Sequence, residues 1–232
     1  RDILNVTRVR GPNYPFVDQN IDKRKDYLKT DKKPWRVGFI KTNIWDEARS
    51  YVKNSIEELV NRISNTDNFI VEEVNWPTSL NNLHELHQTI YSKSLGYYFL
   101  REKKQSNLIS ESMLNLIHKS ENISKESYIN ALSNQETVIK NVNNLIMPYD
   151  FLISISTSSS APVRSNKELD GPSLIWTLSH IPSLSVPLFR CPANLPYGIQ
   201  LIANKWSDYR LLQAVDELID LGIFPEGSTE IM

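Results

Sequence analysis

The chain has one cysteine, Cys191, in 232 residues. That excludes an internal disulfide and a Cys-rich metal centre. A reducing compartment suits such a chain, so the cytoplasm is the expected location. The formal net charge is -1. It provides no basic field, so neither nucleic acid nor an anionic membrane is an expected partner. No apolar run approaches the ~20 residues that cross a bilayer. The first stretch, RDILNVTRVRGPNYP, lacks the apolar core of a signal peptide. It also lacks an initiator Met and begins in a helix-like pattern, which reads as a chain cut from something longer. Glycines number 7, and no Gly-Gly-Ser-Ser-like stretch occurs. Apolar content of 40% and charged content of 23% are ordinary for a globular protein. The length is enough to bury a core.

Read in order, Ile3, Leu4, Val6 and Val9 recur at helical spacing before Gly11-Pro12 breaks the chain. Asp18 to Lys33 is charged and aperiodic, an exposed connector. WRVGFI, from Trp35, is a buried strand. Asp46 is placed to cap the next helix, whose stripe is Ala48, Val52, Ile56, Leu59 and Ile63. FIVEEV, from Phe69, is a second strand, so this region forms a βαβ unit with a right-handed crossover. Residues 79 to 147 hold no strand. One helical face there carries Leu83, Leu86, Ile90, Ser94, Tyr97 and Tyr98. A second carries Leu108, Met113, Leu116 and Ile117. A third opens at Ser124 with Tyr128, Leu132, Val138, Val142 and Ile146 inward. Beyond Pro148, Phe151 to Ile155 is a strand and Pro172 starts a short helix. Ser183 to Leu188 and Tyr197 to Ala203 are strands. Ser207 caps a last helix that Gly222 stops. The fold class is α/β, a mixed, mainly parallel central sheet with helices on both faces. One partial domain over 1–232 is expected: a lead-in helix and connector (1–33), the βαβ unit (34–77), a helical cover (78–148) and a C-terminal sheet with helices (149–232).

The chemistry concentrates after the strand at Phe151. Ser154, Ser156, Thr157, Ser158, Ser159 and Ser160 lie at its carboxyl end, where open α/β sheets place ligands. Their hydroxyls suit a carbonyl or carboxylate; the alternative is a solvated loop. A serine nucleophile needs a base, and Lys167 and His180 are the candidates, neither in a Ser-x-x-Lys or Gly-x-Ser-x-Gly setting. His84 and His87 stand at i, i+3 without a third ligand, which favours a helix surface over a metal site. Trp176 is either core or a pocket wall. Asn5-Val6-Thr7 and Asn122-Ile123-Ser124 match the glycosylation pattern by chance in an Asn-rich chain.

Several of these residues recur in one order. Asp150 precedes the strand. Thr157 and Ala161-Pro162 follow it, then Trp176-Thr177-Leu178. Pro182-Ser183-Leu184-Ser185-Val186-Pro187 leads to Leu195-Pro196-Tyr197-Gly198-Ile199-Gln200-Leu201, and Leu211-Leu212 lies beyond. This order and spacing resembles the C-terminal part of the amidase signature family. Pro34-Trp35-Arg36-Val37-Gly38 is similar to the family's strand after the nucleophile region, and Arg10-Gly11-Pro12 to the helix end before it. Two residues depart from the pattern: His180 stands where the family has Gly, and Ser156 where it has Pro.

The resemblance implies hydrolysis of a carboxylic amide through an acyl-serine, with no metal and no cofactor. A Lys base would relay a proton through a bridging Ser, and backbone N–H groups would form the oxyanion hole. Those residues belong to a Gly/Ser-rich segment that nothing in this chain matches, so no residue here is assigned to catalysis. Ser156, Thr157, Ser158 and Trp176 are the expected substrate-binding residues. Tyr91, Tyr97, Tyr98 and Phe99 are candidates for the acyl pocket. The expected partners are a small-molecule amide and an N-terminal half carrying the triad, in the same polypeptide or a separate one; a homodimer is also open. Two other readings stay open: an inactive amidase-like binding or scaffold protein, and an amidotransferase subunit of the same family. The Trp-Thr-Leu variant weighs mildly against the latter.

Overall fold

The computed structural model describes residues 2–7, 34–81, 83–163, 171 and 173–226. The connector at Asp18 to Lys33, Arg10-Gly11-Pro12, Lys167 and Pro172 lie outside the described residues. The elements are α1 (Asp2–Thr7), β1 (Trp35–Ile40), α2 (Ser50–Ser64), β2 (Phe69–Val74), α3 (Leu83–Tyr98), α4 (Glu111–Glu121) and α5 (Lys125–Ile146). They continue with β3 (Phe151–Ile155), α6 (Ser173–Leu178), β4 (Ser183–Arg190), β5 (Pro196–Ile202) and α7 (Asp208–Asp220). The chain forms two compact units, one of residues 1–76, 143–176 and 181–232, the other of residues 77–142 and 177–180.

The first unit is built on a five-stranded sheet of order β2-β1-β3-β5-β4. β1 pairs parallel with β2 and β3, while β5 runs antiparallel to both β3 and β4. Four strands therefore point one way and β5 alone is reversed, the mixed, mainly parallel sheet that the sequence implied. Side chains alternate across a strand. Val37, Phe39, Phe151, Ile153, Ile155, Ile199 and Leu201 face one way, onto Val52, Ile56, Leu59 and Ile63 of α2 and Leu211, Ala214 and Leu218 of α7. Each large side chain fully buried here contributes roughly 1.5–3 kcal/mol.

The α2 stripe is as the periodicity predicts, but Asp46 does not cap it. Thr42 to Ala48 instead makes tight turns that bury Ile44 and Ala48, and the helix starts at Ser50 with Arg49 as its N-cap. At the far end Ser207 occupies the N-cap of α7, yet its side chain makes no capping bond. Gly222 ends that region with φ +66, a left-handed conformation that glycine adopts without penalty. Asp150 fastens the entry to β3. It accepts from the Arg36 N–H at 2.9 Å and from Arg210 Nη2 at 2.9 Å, and the Arg210 guanidinium lies 3.6 Å from the centre of the Trp35 ring.

The second unit is helical, and its packing corrects three expectations. α3 buries Ser92 and Gly96, not the aromatic end of its predicted stripe. A Cβ on Gly96 would stand 1.8 Å from Ser120 Oγ, so α3 and α4 meet through small residues. Tyr97 and Tyr98 are left 71% and 74% exposed. Leu108 falls in an exposed 3₁₀ turn ahead of α4. α5 turns Ala131, Gln135, Val138 and Val142 inward, which carries Leu132 out to solvent. Ser124 caps α5 by accepting from the Ser127 N–H at 3.0 Å.

Candidate functional site

The segment after β3 is a stapled structure, not a solvated loop. Ser156 donates its hydroxyl to the Gly198 carbonyl at 2.7 Å. Thr157 Oγ1 donates to the Ser159 carbonyl at 2.7 Å. The Arg49 N–H, at the start of α2, donates to the Ser158 carbonyl at 2.9 Å. Tyr51 Oη accepts the Ser160 N–H at 2.8 Å and donates to Ser160 Oγ at 3.2 Å. Tyr51 in turn meets Tyr197 edge to face at 5.4 Å, and Tyr197 Oη donates to Ser55 Oγ at 2.8 Å. Burial pushes the Tyr197 hydroxyl above its ordinary range, and the Ser55 bond offsets part of that. Cys191 is buried beside this network; a hydrogen bond from Ser160 holds its thiol below the ordinary range.

Within the expected quartet the hydroxyls divide. That of Ser156 is used on Gly198 of β5 and that of Thr157 inside the loop. Ser158 is 1% exposed and its Oγ finds no hydrogen-bond partner among the described residues. Trp176 is both core and unsatisfied: it is 1% exposed, its ring meets Trp76 edge to face at 6.5 Å, and its Nε1 has no partner among the described residues. Three further buried polar atoms share that condition in this unit: Thr42 Oγ1, Ser154 Oγ and Gln200 Oε1. Ser154 and Gln200 stand directly opposite each other on β3 and β5. The sequence signal for them is a polar residue at an inward position of an otherwise apolar strand, in FLISI and YGIQLI. Buried polar groups are ordinarily paired, so each of these atoms leaves hydrogen-bonding capacity open to a water or a ligand.

Lys167 lies outside the described residues. His180 itself adopts the left-handed conformation, φ 53, that its Gly counterpart would supply. Within its own unit its Nε2 lies 3.3 Å from Gln135 Nε2, which also donates to the Leu178 carbonyl at 2.9 Å. Among the described residues no serine is hydrogen-bonded to it. His87 stacks on Tyr91 at 5.4 Å, and burial, then the charge of His84, pushes its pKa down. Among the described residues no three metal-ligating side chains converge, and no helix is long and apolar enough to cross a membrane.

Comparison with known proteins bears on the family and the fold. The family model for amidases matches residues 10–212. The chain belongs to the amidase family. This amidase-family chain is 31% identical over 103 residues to a glutamyl-tRNA(Gln) amidotransferase subunit from Treponema denticola, covering 40% of the chain and 21% of that relative. It is 29% identical over 132 residues to the corresponding subunit from Saccharolobus solfataricus, covering 53% of the chain and 26% of that protein. A crystal structure of an amidase superposes with a TM-score of 0.71 at 15% identity, over 82% of this chain and 46% of the other. A 6-aminohexanoate cyclic dimer hydrolase superposes with a TM-score of 0.69 at 14% identity, over 97% and 52%. The chain thus spans about half of these structures and about a quarter or less of the curated relatives.

Proposed function

We propose that this chain supplies the C-terminal part of an amide hydrolase whose nucleophile lies in a polypeptide segment outside it. In that reaction a serine oxygen attacks the amide carbonyl, the C–N bond breaks and ammonia or an amine leaves. Water then hydrolyses the acyl-serine to the acid. This half contributes sheet strands, the pocket edge at Ser156, Thr157 and Ser158, and the Trp176 wall. The observation that carries the reading is Ser158. Its loop is pinned to α2 at Arg49 and Tyr51 while its own buried hydroxyl is left unpartnered. A group fixed this way is preorganised for a ligand.

The test is ammonia release from simple amides by the chain alone and combined with a polypeptide carrying a Gly/Ser-rich triad segment. Activity only in combination is expected. A natural product that proves to be solely a folded, monomeric 26.8 kDa species without such a companion would overturn the hydrolase reading and leave the binding or scaffold reading. The two amidotransferase relatives favour a second reading, in which the released ammonia is passed to partner subunits. That reading predicts a stable multi-subunit complex on purification from the source.

A further inference from the structure

We propose that His180 is a pH-gated latch: its neutral imidazole holds the left-handed residue that caps α6, and protonation lets that cap go. The latch stands apart from the hydrolase reading, although α6 carries Trp176, one of the expected substrate-binding residues.

α6 ends in a motif that ordinarily uses glycine. The Ile181 N–H donates to the Trp176 carbonyl at 3.4 Å and the His180 N–H to the Thr177 carbonyl at 3.2 Å. His180 has φ 53. Two such bonds around one left-handed residue make a Schellman cap. Trp176 and Ile181, where this motif places an apolar contact, are both buried. Glycine takes the left-handed conformation without penalty, whereas a side chain with a Cβ is strained in it. A residue kept in such a conformation needs its surroundings to hold it. The side chain that meets His180 is Gln135 of α5, which belongs to the same compact unit.

The hydrogens decide which form of the imidazole fits. Gln135 is 8% exposed, and its Nε2 donates to the Leu178 carbonyl at 2.9 Å. That carbonyl only accepts, so the amide nitrogen and not the amide oxygen stands against it. The same nitrogen lies 3.3 Å from His180 Nε2. An amide nitrogen carries a second hydrogen and accepts nothing, so His180 Nε2 must accept, with the ring proton on Nδ1. A further proton turns Nε2 into a donor facing a donor. Turning the Gln135 amide over would satisfy the charged ring but strip the Leu178 carbonyl of its bond. Either way one of the two bonds is lost. A helix end welcomes a cation, but α6 has only 6 residues and a correspondingly small dipole, so the facing N–H outweighs it.

The surroundings leave His180 as the titrating group. Leu178, Ser179 and Ile181 in its own turn are not ionisable in this range, and the inward face of α5 is Ala131, Gln135, Val138 and Val142. Glu136, beside Gln135, is exposed and lies off that face. His84 and His87 are on α3 and His118 is on α4.

Histidine-labelled protein carrying the full chain gives 4 imidazole signals, one per histidine, and the one absent from His180→Asn is assigned. Asparagine tolerates the left-handed conformation and does not titrate. At about pH 7.5, above the ordinary imidazole range, a proton–nitrogen spectrum should show Nδ1–H and a bare Nε2. Between about pH 7.5 and about pH 5.5 the exchange protection of the His180 and Ile181 amides, corrected for intrinsic rates, should fall about fivefold, the loss of one neutral hydrogen bond. In His180→Asn and His180→Gly it should not respond to pH. An Nε2–H imidazole at the higher pH overturns the proposal. So does wild-type protection that ignores pH, or an equal fall in both variants, which would assign the response to His84, His87 or His118. Should one variant fail to fold, the other supplies both the assignment and the comparison.

Discussion

Replacing Gly198 with alanine should disrupt both the β4–β5 pairing and the loop of the candidate site. A Cβ at this position would stand 1.9 Å from the Val186 carbonyl oxygen and 2.9 Å from Pro187 Cα. Ordinary carbon–oxygen contact is above about 3 Å, so the strands must part by more than about 1 Å or twist, and the obstruction is backbone that no rotamer change relieves. The Gly198 carbonyl also accepts from both Ser156 N–H, at 3.4 Å, and Ser156 Oγ, at 2.7 Å. Displacing it carries the start of the Ser156 to Ser160 loop with it. We expect a loss of about 3 kcal/mol or more, the upper end of overpacking costs. For a chain of this size that is about 6–12 °C in melting temperature. Gly222→Ala is the internal control. It has φ +66 but no atom within 4 Å of where a Cβ would stand, so only left-handed strain of about 1–2 kcal/mol applies. Urea unfolding followed by circular dichroism measures both. Gly198→Ala within about 0.5 kcal/mol of wild type, or less damaging than Gly222→Ala, would refute the reasoning.

Three further outcomes follow from the same structure. Asp150→Ala removes the acceptor for Arg36 N–H and Arg210 and should cost about 2–3 kcal/mol, whereas the exposed Glu72→Ala should cost under about 0.5 kcal/mol; denaturant midpoints check both. Gly96→Ala should destabilise the helical unit by about 1–3 kcal/mol because of Ser120, and Ser120→Gly in the same chain should restore most of it, a coupling that a double-mutant cycle reads directly. Tyr197 has a folded pKa raised above 10.0, first by burial. The folded state therefore holds that proton more tightly than the unfolded state. Its contribution is full below the unfolded pKa and is lost as pH climbs through the folded one. Tyrosinate absorbance of wild type should show a late-titrating group that Tyr197→Phe lacks.

Much of the architecture was legible in the sequence because the first unit's elements carry clean periodicities. WRVGFI, FIVEEV and FLISI are dense in β-branched and aromatic residues, and the α2 stripe repeats at helical spacing, so strand and helix bounds fell close to those observed. The helical unit was less legible because its contacts are made by small and polar residues. Gly96, Ser92, Ser120 and Gln135 give no apolar signal, while Tyr97 and Tyr98 give one and remain exposed. Capping failed at Asp46 for a related reason: the turn before α2 is set by the burial of Ile44 and Ala48, which outweighs local cap chemistry. In the site, the serine cluster was visible, but which hydroxyl is used and which is spare depends on partners far along the chain, such as Gly198 for Ser156 and Tyr51 for Ser160. Gln200 was visible only as one letter of a motif; its unpaired oxygen emerges from the β3–β5 register.

The most direct measurement is where the acyl group lands. The chain is combined with a polypeptide carrying a Gly/Ser-rich triad segment, given an activated amide, quenched in acid and weighed by intact-mass spectrometry. The account predicts one acyl adduct on the companion and none on the 232-residue chain, with ammonia release lost when the companion's serine is replaced. An adduct on a serine of this chain, at Ser158 or elsewhere, would contradict it.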